Sequence, residues 1–113
     1  MELEFEKRMR VISDILSFCN LKGANEFHVD LTNGNREATF DFKASPVTIS
    51  DKDVGILKKE LDAPRSKEME ENYWELMGGT DNFSQLTLVG MMCDEANIAC
   101  EDNVLNIVLK RYN

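Results

Sequence analysis

A chain of 113 residues with 42% hydrophobic content is enough for one domain with one core and too short for two of useful size. The formal net charge is −8, with the lysines and arginines scattered rather than gathered in a stripe. Phosphate backbones and anionic membrane surfaces are disfavoured on that ground, while a basic protein partner would suit it.

From Leu3 to Leu21, Phe5, Met9, Ile12, Leu16 and Cys19 recur at helical spacing with Ile15 widening the stripe, so an amphipathic helix is expected with that face inward. Lys22-Gly23 closes it. The period then changes. Phe27, Val29 and Leu31 alternate with Glu26, His28, Asp30 and Thr32, Asn33-Gly34 signals a hairpin turn, and Ala38, Phe40 and Phe42 share one face of the returning strand. Ser45-Pro46 breaks that strand. Ser50 reads as a helix N-cap with Asp53 completing a capping box, and Val54, Leu57 and Leu61 form the inward stripe up to Ala63-Pro64.

A further helix is expected from about Ser66 to Met77, with Met69, Tyr73, Leu76 and Met77 inward, ended by Gly78-Gly79. Ser84 to Asp94 fits a buried helix and a buried strand equally well by periodicity. Ala96, Ile98 and Cys100, the turn Glu101-Asp102-Asn103, and Leu105, Ile107 and Leu109 make a second hairpin. The expected fold is α+β: a single domain, residues 1–113, built as a two-layer sandwich with two β-hairpins in one mixed sheet and about three helices on one face.

No intact catalytic, metal-binding or nucleic-acid-binding motif is present. His28 is the only histidine and falls on the polar phase of its strand, where a solvent-facing role is expected. Cys19, Cys93 and Cys100 include no Cys-x-x-Cys pair, and the pattern reads as free thiols in a reducing, cytoplasmic compartment, serving as small core hydrophobes. The charged stretch after Met1 lacks the apolar core of a signal peptide, and no apolar run has transmembrane length. Asp51-Lys52-Asp53 has the spacing of two calcium ligands without the rest of an EF-hand, so capping explains it better. Gly78-Gly79-Thr80 lacks the strand and the Gly-Lys-Ser/Thr of a P-loop. Tyr73-Trp74 presents more aromatic surface than one helix face can bury, which marks these two residues as a candidate protein interface.

The layout from about Glu6 to Arg111 resembles the histidine-kinase-like ATPase superfamily, which includes gyrase, sensor histidine kinases and anti-sigma-factor serine kinases. The segment Leu86-Thr87-Leu88-Val89-Gly90-Met91-Met92-Cys93-Asp94-Glu95-Ala96-Asn97-Ile98 looks like the family's last helix running into Asp-Glu and a final strand pair. Ile12-Ser13-Asp14-Ile15-Leu16 looks like its first conserved helix, and Thr39 to Phe42 with Ser45-Pro46 and Ile49-Ser50 like its adenine-site strand and turn. The resemblance implies a helix over Ser84 to Asp94.

It also implies three nucleotide-binding boxes, and this sequence departs from each. Where the family has a glutamate and a magnesium-binding asparagine, Asp14 and Phe18 stand. Where it has Asp-x-Gly-x-Gly, Lys43, Ser45 and Val47 replace the aspartate and both glycines. Where the last helix should open with Gly-x-Gly, Phe83 and Gln85 stand. Phenylalanine offers no oxygen to a hard cation, lysine cannot accept the adenine amino proton, and side chains fill the space glycines leave for phosphates.

The resemblance therefore implies a pseudo-ATPase that binds proteins in bacterial signalling or stress control, with no cofactor. One alternative is a divergent kinase using ATP and Mg2+ with Asp14 as its catalytic carboxylate. The other is an unrelated homo-oligomeric module joined through its hairpin edges.

Overall fold

The computed structural model describes residues 4–68, 70–71 and 85–112. Helix α1 spans Glu4–Leu21 and is followed by the hairpin β1 (Glu26–Asn33) and β2 (Glu37–Ser45). Helix α2 covers Asp51–Leu61, helix α3 Gln85–Met91, and the closing hairpin is β3 (Glu95–Glu101) and β4 (Val104–Tyr112). Residues 67, 68, 70 and 71 are also helical, which is the described part of the helix expected from Ser66. Tyr73, Trp74, Leu76, Met77 and Phe83 lie outside the described residues, as does Met69.

Both hairpins join one four-stranded sheet in the order β1-β2-β4-β3. Every pairing among the described residues is antiparallel, so the sheet they form is not the mixed one expected. The reason is topological: the chain leaves β2 through the helical layer, enters the sheet again at its far edge as β3, and returns inward as β4 beside β2. The inward phase is Ala38, Phe40, Phe42 and Ala44 on β2 with Leu105, Ile107 and Leu109 on β4, all buried. Phe40 and Phe42 stack with ring centroids 6.3 Å apart. The helices cover this face, with α3 touching both α1 and α2, and α2 lying over β3. The α+β two-layer arrangement is as expected, and the ambiguous Ser84 to Asp94 segment forms a helix over Gln85–Met91.

Local chemistry explains most boundaries. Ser50 Oγ accepts from the Asp53 amide at 3.1 Å and the Asp53 carboxylate accepts from the Ser50 amide at 3.5 Å, closing the capping box. Asp102 (φ 51°) and Asn103 (φ 64°) both take the left-handed conformation that a two-residue hairpin turn with the sheet's twist requires. The first turn falls two residues later than Asn33-Gly34, around Asn35-Arg36, and Gly34 N donates to Glu37 O at 2.7 Å. Apolar alignment across the strand pair outweighs the local turn signal here. The observed register sets Phe27, Val29 and Leu31 opposite Ala44, Phe42 and Phe40, whereas a turn at Asn33-Gly34 would carry Phe42 and Ala44 past the end of β1.

Helix α1 departs from expectation in its rotation. Its buried residues are Lys7, Val11, Asp14, Ile15 and Cys19. Ile15 and Cys19 are buried as expected, but Phe5 is 60% exposed, and Ile12 and Leu16 are only partly buried. The inward stripe thus lies about 100° around the helix from the one expected, as residue offsets at 3.6 per turn dictate. Two polar residues disguise it: Lys7 and Asp14 can be buried because each has a charge partner, Glu70 for Lys7 at 3.0 Å and Arg10 for Asp14 at 3.5 Å.

Candidate functional site

The residues singled out by the family resemblance separate into two places. Asp14 and Phe18, one turn apart on α1, meet the start of α3, so that Asp14, Ser17, Phe18, Leu21, Gln85 and Leu86 line one cavity of about 160 Å³. The first-helix and last-helix positions are therefore brought together. Lys43 is not among them. It lies on the opposite face of the sheet, beside His28, Asp30 and Asp41 around a shallow depression, because residue parity on β2 puts Ala44 inward and Lys43 outward. Ser45 ends β2 and precedes a cis peptide to Pro46, and Val47 is buried in the core with its amide donating to Asn103 O at 2.9 Å.

Among the described residues, the α1–α3 cavity is small. Ligand pockets span roughly 300–1,000 Å³, and this one is well below that range. Its lining offers one carboxylate, one hydroxyl and one amide, with Phe18, Leu21 and Leu86 completing the wall. The Lys22 ammonium sits 5.7 Å from the Phe18 ring centroid in a cation–π contact, and Arg10 pairs with Asp14 at 3.5 Å. Among the described residues, no three histidine, cysteine, aspartate or glutamate side chains converge as metal ligands.

A second polar centre is legible only in three dimensions. Arg111 is 1% exposed, and all five of its guanidinium N–H groups are engaged. Nε and Nη2 donate to Glu4 at 2.7 and 2.9 Å. Nη1 and Nη2 donate to Glu70 at 2.7 and 2.8 Å, and Nη1 donates to Met92 O at 2.6 Å. Lys7 Nζ adds bonds to Glu70 at 3.0 Å and Glu71 at 2.6 Å. Arg65 bridges Asp94 (2.8 Å) and Tyr112 O (2.6 Å).

The electrostatics follow from this geometry. Burial works to raise the Glu70 carboxyl, but the hydrogen bonds and charges of Arg111 and Lys7 outweigh it and bring the group down to about 2. The Arg111 hydrogen bonds hold Glu4 below its ordinary value against the opposing effect of burial. Burial likewise opposes the Lys7 ammonium, and Glu71 and Glu70 reverse that and raise it. With its donors used internally, Arg111 is a clamp rather than an anion receptor. It ties β4 to the start of α1, to the 66–71 stretch and to the end of α3. The sequence signal for it was the phase of β4: Arg111 continues the inward series Leu105, Ile107, Leu109.

The cysteines sit as expected of apolar residues. Cys19 and Cys93 are buried and Cys100 is half-buried, all with free thiols. Burial pushes Cys19 up to about 11 and Cys93 up to about 12, away from thiolate reactivity. His28 is exposed on the open face of the sheet, opposite Lys43. No described helix is long and apolar enough to cross a membrane.

Compared with known proteins, the chain matches no protein-family model, and no curated protein is significantly similar to it.

Proposed function

We propose that this chain is a non-catalytic, protein-binding regulatory domain with a degenerate histidine-kinase-like ATPase fold that has lost nucleotide binding. One observation carries the reading: Asp14, Phe18 and Gln85, equivalent under the resemblance to the catalytic glutamate, the magnesium-binding asparagine and a phosphate-loop glycine, line a common cavity of about 160 Å³. Phe18 removes an amide oxygen from that wall and Gln85 puts a side chain where the family has glycine, and both support a degenerate nucleotide site. Lys43 points away from that cavity, so the strand position contributes no adenine acceptor to it. A net charge of −8 suits a basic protein partner in the cytoplasm, and signalling is the setting the resemblance implies.

Calorimetric titration with magnesium-ATP tests the proposal. A flat titration to millimolar nucleotide is expected, and saturable heat with submillimolar affinity would refute it. The competing kinase reading rests on Asp14, which keeps a carboxylate in the cavity. It requires phosphate release or transfer that Asp14→Asn abolishes.

A further inference from the structure

Helix α1 carries more apolar surface than the core uses. Val11, Ile15 and Cys19 are buried, yet Met9, Ile12 and Leu16 line a groove of about 580 Å³ with Phe27 of β1, and Phe5 extends the same stripe by one turn. The groove lies against an unpaired strand, since β1 is an edge of the sheet among the described residues. Arg8 reaches Asn33 at the end of β1 while Asn20 lines the groove with Phe27 near its start, so α1 runs antiparallel to β1.

The outward face of β1 is electrostatically unresolved. Asp30 stands directly opposite Asp41, and His28 directly opposite Lys43, so neither cross-strand pair is complementary. Asn106 Nδ2 donates to Asp41 at 2.8 Å, which secures Asp41 from the β4 side and leaves β1's own free edge as the side from which Asp30 can be approached.

We infer that β1 pairs antiparallel with β1 of a second copy about a two-fold axis through Val29, making a continuous eight-stranded sheet with both α1 helices on one face. This register sets His28 against the partner's Asp30 twice over, an imidazole N–H donating to a carboxylate at each. It sets Phe27 against the partner's Leu31, and Val29 against the partner's Val29. Shifting the axis to His28 would oppose Glu26 to the partner's Asp30, and shifting it to Asp30 would oppose two aspartates; axes at Phe27 or Leu31 avoid like charges but pair far less of the strand, so the Val29 axis alone does so along most of it. The other edge is worse suited, because the equivalent pairing of β3 about Ile98 opposes Glu95 to the partner's Glu101 at both ends. The antiparallel run of α1 along β1 brings the two Ile12–Leu16 stripes together across the axis, covering the groove from both sides. The inference does not depend on the ATPase resemblance.

Sedimentation of the full chain from low micromolar to submillimolar concentration, at an ionic strength where screening acts within about 8 Å, tests it. A concentration-dependent dimer is expected. His28→Glu, at an exposed position away from the core, should weaken it roughly tenfold by creating two like-charge pairs. Adding Asp30→Lys to His28→Glu should restore it. A monomer at every concentration would overturn the inference, as would a dimer indifferent to His28→Glu. So would an Asp30→Lys single variant that associates more tightly, since that would place Asp30 against the partner's Glu26.

Discussion

Gly90 reports on whether α2 and α3 cross as closely as described. A Cβ built there would lie 2.7 Å from Glu60 O, 2.9 Å from Leu61 O and 3.0 Å from the Leu61 carbonyl carbon, all backbone atoms near the end of α2. None can rotate away, so Gly90→Ala must push the two helices apart in a core where Leu57, Leu61, Leu86, Leu88 and Val89 are buried. Overpacking of this kind costs about 1–3 kcal/mol, and three simultaneous backbone contacts place it near the top of that range. Alanine's higher helix propensity returns about 1 kcal/mol, leaving a net loss of about 2 kcal/mol. Gly55, in the middle of α2, is the internal control: a Cβ there meets nothing within 4 Å, so Gly55→Ala should gain about 0.5–1 kcal/mol. Urea unfolding followed by circular dichroism should therefore move the two variants in opposite directions. Each kcal/mol should also appear as about 4–8 °C in the melting temperature. A Gly90→Ala protein as stable as the parent would refute the close α2–α3 crossing.

Two further outcomes follow from the buried charges and thiols. Glu70 is lowered in the folded state from 4.5 to about 2, so its contribution of about 3 kcal/mol is fully present above pH 5 and is lost as pH falls towards 2. Glu70→Gln should remove at least that much at neutral pH and flatten the acid limb of stability measured by urea titration; an unchanged acid limb would contradict the Arg111 clamp. Cys19 and Cys93, raised to about 11 and 12 by burial, should resist a thiol-reactive chromogen at pH 8 while half-buried Cys100 reacts. All three should react in denaturant, and rapid native modification of all three would show that the core is not packed as described.

What the sequence made legible was the part of the fold encoded locally or by period. The alternating runs over 27–31, 38–42, 96–100 and 105–109 became strands on the expected phase, and Ser50 with Asp53 became a capping box. The Asn33-Gly34 turn was misplaced because a dipeptide preference is worth less than aligning three apolar residues of β1 with three of β2. The sheet's antiparallel character depended on which hairpin strand lies inside, β4 or β3, and no local pattern specifies that. The α3 segment was undecidable by periodicity because nearly every residue from Leu86 to Gly90 is inward or half-inward.

The site was less legible, and α1 shows why. A stripe of Phe5, Met9, Ile12 and Leu16 joined to Ile15 and Cys19 outscores one of Lys7, Val11 and Asp14 joined to the same two residues on any hydrophobicity count, yet the second faces the core. A polar residue's suitability for burial depends on partners distant in sequence: Lys7 is acceptable inside because Glu70 is, and Glu70 because Arg111 engages both of its oxygens. The same reasoning applies to Arg111, whose inward phase on β4 would look like an error without two carboxylates from elsewhere in the chain. The charge network therefore sets the rotation of α1, and that rotation leaves the more apolar stripe beside the free edge of β1. On this argument the exposed groove is a consequence of the clamp. Breaking the clamp by Arg111→Met would loosen the constraint that holds α1 in this rotation, and the dimerisation measured by sedimentation should then weaken although no residue of the β1 edge has changed. Undiminished association in a folded Arg111→Met protein would separate the two features and sink that link.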